Sequence, residues 1–137
     1  MADSPNGSTG PDAPVIRVRG LVTRFGTQTI HDGIDLDVRR GEVLGVVGGS
    51  GTGKSVLLKE IVGLIRPSAG SIEVLGRNAL DLGEREASDL RRHFGVLFQD
   101  GALFSSMTVA ENVAVPLKEF TDLTGDLINH IVRLKIA

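Results

Sequence analysis

The chain has 137 residues, 41% of them hydrophobic and 23% charged, with a formal net charge of −2 and no cysteine. That length fits one domain of ordinary size, while the charge supplies no basic field for non-specific nucleic-acid binding. The absence of cysteine excludes a disulfide framework and a thiolate metal site, and suits a reducing compartment.

Residues 1–14, rich in Pro, Gly, Ser and Asp, read as a disordered tail, because so few apolar side chains cannot offset the entropy of ordering them. They carry acid rather than base and have no apolar stretch, unlike a secretory signal. The folded part is expected over residues 15–137. From Val15, apolar and polar residues alternate through Arg19, and Gly26 ends the next extended piece. Alternation returns at Ile34-Asp35-Leu36-Asp37-Val38, before a turn at Arg39-Arg40-Gly41. Two such strands predict an antiparallel flap with one wet face.

The pattern changes at Glu42-Val43-Leu44-Gly45-Val46-Val47, a continuous apolar run that predicts a strand covered on both faces. After a glycine-rich loop, Leu57, Ile61 and Leu64 recur at helical spacing over residues 54–64, with Gly63 and Pro67 as stop signals. A short strand over residues 70–76, a polar helix over 85–92 and a second buried strand over 94–98 follow. Thr108 and Glu111 fit a capping box, so a helix is expected from there to about Val115, before Pro116. A last helix, near residues 123–137, puts Leu127, Ile131 and Leu134 on one face and has no stop signal, as if the helical pattern continued. No apolar run is long enough to span a bilayer.

The most specific feature is the loop itself, "VGGSGTGKSV", with four glycines among the eight residues Gly48 to Ser55. Gly48-x-x-x-x-Gly53-Lys54-Ser55 is the phosphate-loop pattern, and it lies where the pattern requires, between a predicted strand and a predicted helix. Glycines let backbone N–H groups converge on a phosphate, and the helix that starts there adds its positive dipole end. Lys54 can bring a mobile cation to the β and γ phosphates, and the Ser55 hydroxyl is a hard oxygen ligand for Mg²⁺. Nucleoside triphosphate binding follows; the base does not. No Asn-Lys-x-Asp guanine reader is present, which disfavours a GTPase, and the alternating flap before the loop is unlike a small-molecule kinase.

The order of these features resembles the ATP-binding subunits of ABC transporters, over residues 15–137. The resemblance is carried by the flap, by "GGSGTGKSV", by "VLFQDGALF" at residues 96–104 and by "SMTVAENV" at residues 106–113. It implies an α/β fold: a P-loop NTPase core with an N-terminal antiparallel β flap and the start of a helical subdomain, in an N-terminal fragment. It implies ATP and Mg²⁺ held by Gly48, Gly49, Ser50, Gly51, Thr52, Gly53, Lys54, Ser55 and Val56. Phe25, in "TRFG", matches the aromatic that stacks on adenine, although taken alone it reads as a core residue. Gln99 matches the glutamine that senses Mg²⁺ and the attacking water, a role for which a neutral amide is suited. Val56 stands where many members have threonine, at a position that contributes mainly backbone.

"GALF" followed by Ser105, together with "VAENVAVPL", is similar to the ATPases of the Mla phospholipid transporters. The implied function is ATP hydrolysis coupled to transport, of phospholipid or another hydrophobic substrate, with transmembrane permease subunits and a second copy of the ATPase as partners. The implied location is the cytoplasmic face of the cell membrane. The family's signature motif, Mg²⁺-binding aspartate, general-base glutamate and switch histidine are expected downstream of residue 137, so no catalytic base is assigned. His31, His93 and His130 match none of these positions. A fragment that binds ATP without turning it over is the alternative.

Overall fold

The computed structural model describes residues 13–98 and 101–137. Gln99 and residues 1–12 of the expected tail lie outside the described residues. The chain divides into two compact units, Met1–Phe94 and Gly95–Ala137.

In the first unit, β1 (Ile16–Phe25) and β2 (Gln28–Val38) form the expected antiparallel hairpin. Gly26, at φ +59°, takes the tight corner between them. Ile34, Leu36 and Val38 point towards the core and Asp35 and Asp37 to solvent, as strict alternation dictates. β3 (Ala69–Val74) pairs with the other side of β1, and β4 (Arg77–Asn78) extends the sheet to the order β2-β1-β3-β4. At Gly20 β1 bulges, and the Gly20 N–H donates to Asp35 Oδ1 at 2.6 Å. Gly70 passes so close to that bulge that a Cβ on it would lie 2.6 Å from the Gly20 carbonyl oxygen. On the wet face, Arg19 donates to Asp37 at 2.7 Å and holds its carboxyl below the ordinary aspartate range.

The core of this unit is Val18 and Leu21 from β1, Ile72 and Val74 from β3, Leu57 and Ile61 from α1 (Lys54–Ile61), and Leu90 from α2 (Glu84–Arg91). Each such side chain contributes about 2 kcal/mol by leaving water. α1 stops one turn earlier than its apolar spacing predicts. Gly63, at φ +75°, donates to the Glu60 carbonyl and Leu64 to the Lys59 carbonyl, the paired bonds of a Schellman ending. Leu64 therefore leaves the helical face and is exposed rather than buried.

Two expected strands are not formed. Residues 42–47 have no strand partner among the described residues, and Val43 and Val47 are 98% and 93% exposed. Residues 94–98 likewise form no strand with any of the described residues, and Leu97 is exposed. An apolar run becomes a central strand only when neighbours take up its N–H and C=O groups and both faces are covered. The strand pairing among the described residues is that of the four-stranded antiparallel sheet.

The second unit is a helical pair, α3 (Val109–Phe120) and α4 (Gly125–Ile136). Thr108 starts α3 as expected: its Oγ1 accepts from the Glu111 N–H at 3.2 Å, and Glu111 Oε2 accepts from the Thr108 N–H at 2.7 Å. Asn112 then clamps the preceding loop, accepting from the Phe104 N–H and donating to the carbonyls of Phe104, Met107 and Thr108. Contrary to expectation, α3 continues through Pro116. The proline removes one helical donor at a cost of about 3 kcal/mol. Continuing brings Leu117 onto the cluster of Ala114, Ile128 and Val132, which offsets that cost. α4 turns Ile128 and Val132 inward, leaving Leu127 and Leu134 exposed, so its buried face is one residue round from the expected one, with Ile131 at its margin.

Candidate functional site

The loop Gly48–Gly53 leads directly into α1, as its spacing requires. Gly51 and Gly53 hold φ +79° and +92°, left-handed backbone that disfavours any residue with a Cβ. Thr52 Oγ1 donates to the Gly49 carbonyl at 2.9 Å and braces the turn. Lys54 curls back over the loop, its ammonium donating to the carbonyls of Gly48 at 2.9 Å and Gly49 at 2.5 Å. An ammonium on a four-carbon stem has three rotatable donors, so it can exchange carbonyl partners for phosphate oxygens without backbone movement.

The first helical hydrogen bond of α1 runs from the Leu57 N–H to the Gly53 carbonyl at 2.9 Å. The N–H groups of Lys54, Ser55 and Val56 therefore have no acceptor within the helix. Gly53 has no side chain with which to cap them, and the first turn carries no acidic residue. A concavity of about 170 Å³ lies at this helix start, lined by Ile30 and by Gly51 to Val56, so Lys54 and Ser55 are among its lining residues. This set fits a polyphosphate: unmatched N–H donors, a positive helix end and a nearby cation. It also fits Mg²⁺ bound chiefly through phosphate oxygens and one hydroxyl. Among the described residues no cluster of His, Cys, Asp or Glu could hold a metal by itself.

Behind the loop lies a feature that sequence reasoning missed. His31 of β2 is 3% exposed and Glu60 of α1 is 0% exposed. His31 Nε2 sits 3.2 Å from the Gly53 carbonyl, and Nδ1 lies 3.0 Å from Thr23 Oγ1 and 3.1 Å from Glu60 Oε2. Thr23 donates to the other Glu60 oxygen at 2.6 Å. A Cβ on Gly53 would lie 2.6 Å from both His31 Nε2 and Ile30 Cγ2. The inward alternation of Ile34, Leu36 and Val38, extended backwards, turns Asp32 inward and His31 outward. The extra residue Gly33, at φ +81°, breaks the register between Ile34 and Asp32 and reverses that parity. Glu60 was legible, since it stands three residues after Leu57 on the face that buries Ile61.

Phe25 lies at the hairpin-turn end of β1 and is 48% exposed, so its ring is not a core side chain. Hydrogen bonds join Gly48, Gly49, Thr52 and Lys54 into one loop, and Ser55 and Val56 line the same concavity.

With this geometry in place, comparison with known proteins is decisive: residues 31–135 match the family model described as ABC transporter. The chain belongs to the ABC transporter family. The match takes in the phosphate loop and the capped start of α3, while Phe25 precedes it. A probable ribonucleotide transport ATP-binding protein of Mycobacterium leprae is 44% identical over 126 residues, covering 92% of this chain and 36% of that protein. A methionine import ATP-binding protein of Mesorhizobium japonicum is 49% identical, covering 79% of this chain and 30% of that protein. The intermembrane phospholipid transport ATP-binding protein MlaF of Haemophilus influenzae is 38% identical, covering 89% and 46%. The chain thus spans less than half the length of these ABC relatives.

Solved structures agree on the fold. The dimeric, ADP- and phosphate-bound ATP-binding cassette MJ0796 superposes with a TM-score of 0.76 at 25% identity, covering 86% of this chain and 54% of that one. CbiO1 from Clostridium perfringens, part of the ABC transporter complex CbiONQ, gives 0.71 at 30% identity, covering 87% and 47%. The α/β cassette fold expected from the sequence is therefore the fold of this chain, with an antiparallel sheet and four helices among the described residues.

Proposed function

We propose that residues 15–137 form the nucleotide-holding part of an ABC ATPase and that the loop from Gly48 to Val56 holds ATP with Mg²⁺. The observation that carries this reading is the uncapped start of α1, where Gly51 to Val56, with Lys54 and Ser55 among them, line one concavity. Lys54 exchanges its contacts with Gly48 and Gly49 for the β and γ phosphates. Gly48 through Gly53, Ser50 included, line the phosphates with backbone, Thr52 braces the turn, Ser55 supplies an oxygen to Mg²⁺, and Val56 contributes its N–H. When bound, Mg²⁺ neutralises charge on the phosphate oxygens. Phe25, exposed at the end of the flap, offers a ring to the adenine, a contact of about 1 kcal/mol. Gln99 senses Mg²⁺ and the attacking water.

In the whole protein this site powers transport by ATP hydrolysis, with a second copy of the subunit and transmembrane permease subunits as partners, at the cytoplasmic face of a membrane. No helix among the described residues is long and apolar enough to cross one. The names of the relatives span ribonucleotide, methionine and phospholipid transport. Phospholipid or another hydrophobic cargo is the reading favoured by "GALF", Ser105 and the MlaF relative.

Titration with a fluorescent ATP analogue tests the site. Lys54→Ala is expected to weaken binding by about a hundredfold, the loss of a charge-assisted contact to two phosphates. Affinity equal to wild type would sink the reading. Affinity unchanged in Phe25→Ala would remove the adenine contact.

A further inference from the structure

Two neighbouring residues of β2, Ile30 and His31, meet the phosphate loop at Gly53, and His31 does so through a hydrogen bond. The Gly53 carbonyl oxygen is approached by the Leu57 N–H at 2.9 Å and by His31 Nε2 at 3.2 Å. A carbonyl oxygen only accepts, so Nε2–H is the donor. The far side of the ring is backed by β1, with Nδ1 3.0 Å from Thr23 Oγ1, and Thr23 in turn donates to Glu60 Oε1 of α1 at 2.6 Å. The fit is steric as well. A Cβ on Gly53 would lie 2.6 Å from His31 Nε2 and from Ile30 Cγ2, so the flap fills the space that a side chain there would need.

We infer that His31 is a positioning residue for the nucleotide, because it sets the plane of the Gly53–Lys54 peptide. This rests on the reading of the loop as a triphosphate site. The peptide is trans and planar, so its C=O and N–H point in opposite directions. Holding the carbonyl towards the helix and the flap therefore holds the Lys54 N–H the other way, out of the start of α1, where an anion takes up unmatched donors. The bond from Leu57 fixes the carbonyl along the helix only. At Gly53, with φ +92° and no Cβ, the backbone is otherwise free to turn about that direction. His31 removes this freedom from the side. The hairpin that carries Phe25 is thereby tied to the loop that leads into Lys54.

The test is titration of the intact protein with a fluorescent ATP analogue at one neutral pH, with thermal unfolding of the same samples. His31→Leu fills the space without a donor and keeps the bonds of Leu57 to Gly53 and of Thr23 to Glu60. Its dissociation constant is expected to rise about threefold to tenfold, the scale of one hydrogen bond. His31→Gln returns an N–H near the place of Nε2 and is expected to recover most of that loss. A residue that served packing alone would lower the unfolding temperature in both variants and leave affinity untouched. Wild-type affinity in a folded His31→Leu protein therefore overturns the inference, and so does equal weakening in the leucine and glutamine variants. Should His31→Leu fail to fold, the wild-type protein decides. Its His31 ring resonances are expected to shift when the analogue binds, since the Gly53 peptide stands between ring and ligand, and unmoved resonances overturn the inference. If Lys54→Ala loses binding while the His31 variants follow wild type, only the role of His31 falls; if Lys54→Ala binds normally, the site itself is wrong.

Discussion

The starts of α1 and α3 have the same task and solve it in opposite ways. At Thr108 the chain caps itself: side chains of Thr108 and Glu111 take up each other's backbone N–H groups, and Asn112 binds the carbonyls of the loop before them. At Gly53 there is no capping side chain and no acid in the first turn, and the first side chain of the helix is a lysine. A helix start whose donors are internally satisfied is architecture. One whose donors stay open, on glycines held at positive φ, is shaped for an anion supplied from outside. The buried support follows the same division, since the open start is the one with a polar network, His31, Glu60 and Thr23, beneath it.

The sharpest way to break the contrast is to put a side chain at the open start. Gly53→Ala forces a Cβ to within 2.6 Å of His31 and Ile30 at φ +92°. It is expected to destabilise the chain by about 2 kcal/mol through backbone strain and displaced packing. Triphosphate affinity should fall by at least about tenfold, since the donors no longer converge. Thermal unfolding and nucleotide titration on the same sample check both. Normal affinity in Gly53→Ala would mean that the exact path of the loop is immaterial to binding.

Both helix starts were legible in the sequence, because each depends on a few residues at fixed spacing: Gly48-x-x-x-x-Gly53-Lys54-Ser55 in one case, Thr108-x-x-Glu111 in the other. The flap was legible for the same reason, through alternation along Ile34, Leu36 and Val38. What failed depended on partners or on parity. Apolar runs at residues 42–47 and 94–98 carry a strand pattern, yet pattern alone supplies no ladder. Pro116 reads as a stop, but packing of Leu117 outweighs the lost hydrogen bond. His31 was hidden by the single-residue bulge at Gly33, which no periodicity count across that point can see. The adenine contact proposed for Phe25 rests on resemblance, since an exposed ring at a strand end has no spacing rule to mark it.

A gentler change probes the closed start. Thr108→Ala removes the side-chain half of the cap and is expected to cost about 1 kcal/mol of stability. Because this cap serves only its own helix, ATP affinity should stay at the wild-type value. Chemical denaturation alongside nucleotide titration measures the two effects. A drop in affinity would show that the closed start also serves the nucleotide and would dissolve the distinction.

The smallest expected effect is electrostatic. The Glu111 carboxyl is held below its ordinary range first by the Thr108 N–H and then by the Thr108 hydroxyl, both of which bind its ionised form. A carboxylate whose folded-state value is depressed contributes stability that is complete at neutral pH. It is lost as the pH falls through and below the ordinary glutamate range, where the folded state must also take up the proton. Glu111 is exposed, so solvent screening keeps the contribution slight. Glu111→Gln retains an acceptor for the Thr108 N–H but cannot titrate, so its denaturation midpoint should fall less than that of wild type between neutral and acid pH. The open start of α1 has no carboxylate in its first turn and offers no counterpart to this dependence. Parallel curves for Glu111→Gln and wild type would mean that the closed start is held by shape and neutral hydrogen bonds rather than by charge.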